Sequence, residues 1–330
     1  MKSLIAILFL IPFLGWSQIG GKWGFQSINL TSNPRAAALG GTSISLADGD
    51  ISQFFENPAT LDSVNDKNLF LHLNPYFADV FVYSAAYSFN ASKAGMLVAG
   101  VNYINYGEFE MTDDSGNSIG TFQAQDYTFQ VGKAHRLGPF SLGANLKFSH
   151  AAIDTYSSTA LLMDIGGVFR VNQHWTLGMV FENMGIVVSE YTGTIEQTIP
   201  FDVKVGTSFK PQYMPLRFTL TSMNLTQRNF EEENNTTGRS SNGLDQVMRR
   251  ISLGAELLLS ENFQFLIGYN HKRKQELKLD EIGGGAGLSY GFMIKIKRME
   301  MRFSRANYHV SGGSSFISIR TDLNDFKKIL

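Results

Sequence analysis

Along most of this chain, segments of about ten residues alternate apolar with small or polar side chains and are broken by turns. One segment sets Phe140, Leu142, Ala144, Leu146 and Phe148 against Ser141, Gly143, Asn145, Lys147 and Ser149. Another sets Phe263, Phe265, Ile267 and Tyr269 against Gln264, Gly268 and Asn270. A period of two is the repeat of a β-strand, whose successive side chains point to opposite faces. From about Lys67 onward the pattern predicts fourteen strands. They are centred near Leu71, Ala85, Val101, Thr128, Leu146, Ile165, Met179, Val205, Leu220, Ala255, Ile267, Ser289, Phe303 and Ser318.

The connections differ in length. Those around Ser92, Gly138, Gln173, Gln212, Glu261 and Arg298 are short, whereas long ones run near Gly107–Ser118, Met184–Thr198, Thr226–Val247 and His271–Ile282. Every long connection falls at an odd place in the order, so all four project from one end. Short turns at one end and long loops at the other describe a transmembrane barrel with periplasmic turns and extracellular loops. An even strand count places both chain ends on the periplasmic side. Aromatic residues Tyr76, Phe77, Phe81, Tyr83, Tyr87 and Phe89 cluster at the ends and outer face of the second strand, as at a membrane interface. A sandwich would instead need them to converge on an interior.

The N-terminal region breaks the alternation. Lys2 precedes eleven apolar residues, Leu4 to Leu14, and small Gly15 and Ser17 flank Trp16. This reads as a secretory leader over residues 1–17, since a helical membrane span needs about 20 residues. Residues 18–66 are not strand-like. Asn33 is placed to cap a short helix that begins at Pro34, runs through Arg35-Ala36-Ala37-Ala38-Leu39 and stops at Gly40-Gly41. Asp50 is placed to cap a second turn with Gln53 completing a capping box, and Asn57-Pro58 ends it. A fourteen-stranded barrel encloses more than side chains fill, because about eight strands already give a packed interior. Residues 18–66 are therefore either a plug within the lumen or a periplasmic appendage. The barrel is expected over 67–321, followed by a tail at 322–330.

Composition narrows the chemistry. There are no cysteines, so disulfides and thiolate metal sites are excluded. The net charge of −1 gives no argument for nucleic acid. None of the six histidines stands in the i, i+4 zinc-peptidase arrangement. His135 and His174 fall in expected short turns, and His150 and His309 near outer strand ends. An outer-membrane lipase would need Ser and His on adjacent strands with a third orienting group, and no G-x-S-x-G motif is present. Gly283-Gly284-Gly285-Ala286-Gly287 lacks the lysine and helix of a phosphate-binding loop and leads directly into strand residues Leu288 to Ile296. No catalytic, cofactor or metal residues are assigned, and no enzymatic activity is expected. The long loops carry Glu231, Glu232, Glu233 and Arg239 on one, and Lys272, Arg273, Lys274 and Lys278 on another. Such runs are either solvated loop surface or contacts to a partner or to lipopolysaccharide phosphates.

Longer motifs add a family likeness. They include Arg35-Ala36-Ala37-Ala38-Leu39-Gly40-Gly41, Glu56-Asn57-Pro58-Ala59, Asn74-Pro75-Tyr76-Phe77-Ala78-Asp79, and Gly100-Val101-Asn102-Tyr103-Ile104-Asn105-Tyr106-Gly107. Leu142-Gly143-Ala144-Asn145-Leu146-Lys147, Gly268-Tyr269-Asn270 with Arg273, and Arg305-Ala306-Asn307-Tyr308-His309 extend it over nearly the whole mature chain. In these the chain resembles the PorQ family, outer-membrane components of the type IX secretion system of Bacteroidetes and part of the PorV/PorQ group of FadL-like barrels. The resemblance implies an all-β, FadL-like barrel of fourteen antiparallel strands in the cell outer membrane. Its short helical N-terminal plug would contain Arg35, Gly40, Gly41, Asn57 and Pro58. It also implies a non-enzymatic role: anchoring a PorZ-like surface protein, with PorU- and PorV-like components, in the attachment complex that fixes secreted cargo to the surface. The tail, with Lys327 and Lys328, departs from the terminal aromatic of many barrels, although Phe316-Ile317-Ser318-Ile319 can form a closing strand. The alternative is a FadL-like transporter of hydrophobic small molecules.

Overall fold

A computed structural model of the chain describes residues 24–64, 66–192, 197–226, 243–277, 285–309 and 312–324. The expected leader lies outside them, as do Lys327 and Lys328. The strands are β1 (Asn68–Pro75), β2 (Phe81–Ala91), β3 (Gly95–Thr112), β4 (Ser118–Leu137), β5 (Phe140–Ile153), β6 (Tyr156–Arg170) and β7 (Trp175–Ser189). They continue with β8 (Asp202–Phe209), β9 (Leu216–Ser222), β10 (Ile251–Leu258), β11 (Phe263–Asn270), β12 (Leu288–Ile296), β13 (Met299–His309) and β14 (Gly312–Asp322). Each pairs antiparallel with its sequence neighbours, and β14 closes on β1 through Asn68↔Asp322 to Leu73↔Ile317. All fourteen expected centres fall in these strands, in order.

Closure removes every sheet edge, which is the condition for a sheet to cross lipid. The side chains sort accordingly. Along β5, Ser141, Gly143, Asn145, Lys147 and Ser149 are inside, while Leu142, Leu146 and Phe148 face out, Leu146 with 65 % of its surface exposed. A belt of exposed leucine, phenylalanine and isoleucine of this kind suits hydrocarbon and not water. Towards the loop end, Phe81, Tyr83, Tyr103 and Tyr127 stack across three strands at ring separations of 6.3, 5.9 and 4.7 Å. The Tyr103 and Tyr127 hydroxyls both donate to Gln125 Oε1. Towards the turn end, Phe140 stacks on Phe169 at 4.5 Å.

Two expectations about the wall need correction. The stretch Gly107–Ser118 is not a long loop. A bulge between Asn105 and Glu108, eased by Gly107 at φ 84°, is followed by renewed pairing, Glu108↔Gln123 to Thr112↔Ser118. The stacked rings of Phe109 and Phe122, 5.3 Å apart, hold this ribbon beyond the wall. His135 likewise lies within β4 rather than in a turn, paired opposite Leu142.

The segment before β1 is built from short helical turns. These are the 3₁₀ turns Gln26–Asn29, Ile51–Phe55 and Pro58–Ser63 and one α-helix, α1 (Pro34–Ala38). Asn33 Oδ1 accepts from Arg35 N, and Gly40 and Gly41 at positive φ end the helix as expected. Asp50 Oδ1 caps Ser52 N, but Gln53 does not complete a box: its buried amide has no hydrogen-bond partner. Asn57 starts a new turn as well as ending one, its Oδ1 accepting from Ala59 N.

This segment runs the length of the interior. Gly24 N donates to Thr198 O in the β7–β8 loop, and Phe25 lodges among Ala151, Ala160 and Leu162 at the loop ends of β5 and β6. At its other limit, Asp62 accepts from Arg170 and Ser141 at the turn end. The even strand count fixes the start of β1 and the end of β14 at the turn end. It says nothing of the preceding segment, whose first described residue lies at the loop end.

Candidate functional site in the barrel lumen

Three layers join this segment to the wall. In the turn-end half, eight charges interlock. Arg35 Nε meets Glu256 Oε1 at 2.7 Å, and its two terminal nitrogens meet Asp48 at 2.7 Å and Asp50 at 3.2 Å. Arg217 bridges Asp48 and Glu256 at 2.6 and 3.0 Å. Arg302 joins Asp50 to Glu300, and Arg320 binds Glu300 at 2.6 Å. Four arginines balance four carboxylates, so the set is neutral; Arg35, Asp50, Glu256, Glu300 and Arg302 are buried, and Asp48 lies at its exposed edge. Buried ion pairs persist when geometry and additional hydrogen bonds offset desolvation, and the bidentate guanidinium does both here.

Desolvation alone would raise the Asp48 and Asp50 carboxyls. The Arg35 and Arg217 guanidiniums outweigh it at Asp48, and Arg302, Arg320 and Arg35 at Asp50, holding both carboxyls below the usual range. A carboxyl depressed in the folded state contributes stability that is fully present above its unfolded value, about 3.9, and is lost as pH falls through the folded value. Thermal unfolding of the purified barrel should therefore hold constant from neutral pH to about pH 4, as far as these groups govern it, and fall below that. The fall should be smaller in Asp48→Asn; an unchanged acid limb in that variant would refute the assignment.

At mid-height the wall is lined by glycine. Gly100, Gly132, Gly143, Gly166, Gly178, Gly206, Gly254, Gly268 and Gly291 each face the inner segment, one on each of nine strands. Three pairs are direct cross-strand partners: Gly143↔Gly166, Gly178↔Gly206 and Gly254↔Gly268. A Cβ on Gly143 would strike the Pro58 and Ala59 backbone, and one on Gly268 the backbone of Ala38, Leu39 and Gly40, closer than 3.0 Å in both cases. The backbone of the inner segment thus lies directly on the backbone of the wall.

Towards the loop end the filling is looser and polar. Lys147 pairs with Asp164 and Lys204 with Glu182, both at 2.6 Å, and Lys147 Nζ also donates to Asn183 Oδ1. Burial pushes the Glu56 carboxyl up despite Lys204 and its hydrogen bonds from Thr42 and Ser43. Between these groups lies a cavity of about 40 Å³ lined by Glu56, Asn102, Lys147, Glu182 and Lys204, with another of about 10 Å³ beside it. Such spaces suit a few waters, whereas an engineered cavity that takes benzene measures about 150 Å³.

The rim at the loop end carries helices α2 (Gly243–Arg249) and α3 (His271–Leu277). Asp245 of α2 accepts from Arg249 Nε at 2.7 Å and meets His271 Nε2 at 2.8 Å, tying the two helices together. Lys272, Arg273 and Lys274 thus belong to a helix and not to an extended loop. Arg273 turns inward, its guanidinium 4.5 Å over the Tyr308 ring and against Gly41. Tyr308 packs edge-on with Tyr76 and Phe77 at 5.7 and 5.6 Å. Lys274 is exposed and Lys272 half-buried. Glu231, Glu232, Glu233, Arg239 and Lys278 lie outside the described residues.

The inner residues Arg35, Gly40, Gly41, Asn57 and Pro58 do come together with the wall. Asn57 Nδ2 donates to Ile44 O and Gly167 O, and Asn270 Nδ2 to Gly40 O. Local sequence carries no signal for the wall partners of the charge network, because Arg35 and Glu256 are 221 positions apart. The glycine girdle did leave one: glycine recurring on the inward register of successive strands. Ser84 and His72 sit on adjacent strands with Oγ and Nδ1 3.3 Å apart, but His72 Nε2 has no partner, so nothing orients the imidazole as a triad requires.

No protein-family profile and no curated protein matches the chain. Among solved structures it is similar to a deletion mutant of the TodX monoaromatic hydrocarbon channel, at 12% identity and TM-score 0.53, over 88% of this chain and 97% of that one. It is also similar to the CymD monoaromatic hydrocarbon channel, at 12% identity and TM-score 0.51, over 90% and 97%. A FadL homologue of Pseudomonas aeruginosa aligns at 9% identity and TM-score 0.49, over 88% and 98%. The chain is an all-β, closed, fourteen-stranded antiparallel barrel of the FadL/TodX type, the fold of outer-membrane barrels, with short N-terminal helical segments inside it.

Proposed function

We propose that this barrel is a closed, non-enzymatic scaffold of the outer membrane. Its long loops would be extracellular and would hold a PorZ-like surface protein, as a PorQ-like part of a type IX attachment complex with PorU- and PorV-like components. One observation supports it over transport: a neutral network of eight charges and a nine-strand glycine girdle fix the N-terminal segment across the lumen. The loop-end surface then becomes the working part, with exposed Lys274 and the acidic β3–β4 ribbon available to a partner or to lipopolysaccharide. The family motifs supply the partner class. Deleting the gene should release type IX cargo from the cell surface and leave a PorZ-like protein unanchored. Normal cargo attachment in the deletion strain would reject the proposal.

A second reading is favoured by the fold likeness, since the TodX and CymD structures are hydrocarbon channels. On that reading the barrel passes hydrophobic small molecules, and the N-terminal segment must shift to open a path. Loss of labelled toluene or fatty-acid uptake on deletion, with cargo attachment intact, would select it.

A further inference from the structure

The run Arg305-Ala306-Asn307-Tyr308-His309 serves two faces of the wall. Ala306 is fully buried with Ala37 and Phe316, and Tyr308 packs into the rim beneath Arg273. Arg305 and Asn307 occupy the alternate positions and face lipid. Within the described barrel wall, below the β3–β4 ribbon, outward positions carry a full charge at Arg305 and at Lys133 near the turn end of β4. Below Arg305 the outer face of β13 is Met299, Met301 and Phe303, and its neighbour β14 shows Ile317 and Ile319. Arg305 therefore stands where the apolar belt stops on the loop side. Tyr290, 42 % exposed, is its direct cross-strand partner and an interface residue by type.

We propose that Arg305, with Ser315 and Asn307, binds the phosphate of a lipid in the loop-side leaflet. Arg305 Nη1 donates to Ser315 Oγ at 3.1 Å, and among the described residues no carboxylate pairs with it. An arginine without an acid partner is costly amid hydrocarbon and is accommodated at headgroup depth, where its planar fork matches phosphate oxygens. The Ser315 hydroxyl and Asn307 amide offer further donors beside it. Asn307 lies at a register shift in β13, its side-chain amide close against the backbone of Gly285 and Gly313. The ligand chemistry is a lipid phosphate, carried either by a phosphorylated glucosamine lipid or by a glycerophospholipid. The site rests on the barrel's lying in a membrane and on neither reading of its function.

The test is native mass spectrometry of the full-length barrel in detergent with lipid A, dephosphorylated lipid A or phosphatidylglycerol added in turn. The wild type should retain lipid A and lose the dephosphorylated form. R305Q should retain about tenfold less, the loss of one charged hydrogen-bonded contact. R305K, which keeps the charge without the fork, should fall between and serves if R305Q does not fold. K133Q removes the same charge from the opposite rim and should match the wild type. Arg305-dependent retention of phosphatidylglycerol would support the site with a glycerophospholipid as its source. Equal retention by wild type, R305Q and R305K, or equal binding of the dephosphorylated lipid, would overturn it.

Discussion

Replacing Glu256 with alanine should unseat the N-terminal segment and open the barrel to ions. Glu256 is fully buried and takes both Arg35 and Arg217. Its removal leaves two buried guanidiniums sharing Asp48 and Asp50, with a net charge of +1 where the set was neutral. Breaking a buried pair from one side costs about 3–5 kcal/mol, far more than the pair contributes relative to apolar replacements. The loss should appear as a lowered unfolding temperature and as steady conductance in planar bilayers, where the wild type is expected to be nearly silent. Glu256→Gln should be milder, because the amide oxygen still accepts from one arginine while the charge imbalance remains. A silent Glu256→Ala barrel of undiminished stability would show that the segment is held by its packing alone.

Gly268→Ala tests that packing directly. The added methyl would meet the main chain between Ala38 and Gly40, which no rotamer change relieves. Overpacking a filled core typically costs about 1–3 kcal/mol, and a clash with backbone belongs at or above that range. Folded yield in the outer membrane should fall sharply, and trypsin should cut the inner segment of whatever inserts. Gly167→Ala is the matched control: its Cβ would face outward, with only Leu142 Cδ2 within 4 Å, at 3.8 Å. If both variants assemble alike, the girdle is not a fitted surface.

The wall was legible because lipid outside and a filled lumen inside force strict alternation on every strand, and alternation is local. The caps at Asn33 and Asp50 were legible for the same reason, since each bonds a backbone N–H two residues away. The β3–β4 ribbon was not. Gly107 and the Asp113–Asn117 turn look like loop residues, yet a bulge and the Phe109–Phe122 stack prolong the ladder. The run His271–Lys274 was read by charge alone, which cannot tell which face of a helix meets Tyr308. The arginine–carboxylate network was hidden by distance along the chain. Inner-face polarity announced lumen lining but not what the lining would touch.

The inner segment also constrains the order of assembly. It is bonded to Glu256 on β10, to Arg302 on β13 and to Gly49 O by Arg320 on β14, while β14 itself seals against β1. These contacts span most of the sequence, and long-range contacts form late. A barrel that closed without its filling would strand Arg217, Arg302 and Arg320 beside only Glu256 and Glu300, an imbalance that low-dielectric surroundings penalise. The seam is therefore most stable when the lumen is already occupied. A copy with an incomplete interior would carry unbalanced positive charge beside its closing seam, so the network couples completion of the wall to its filling.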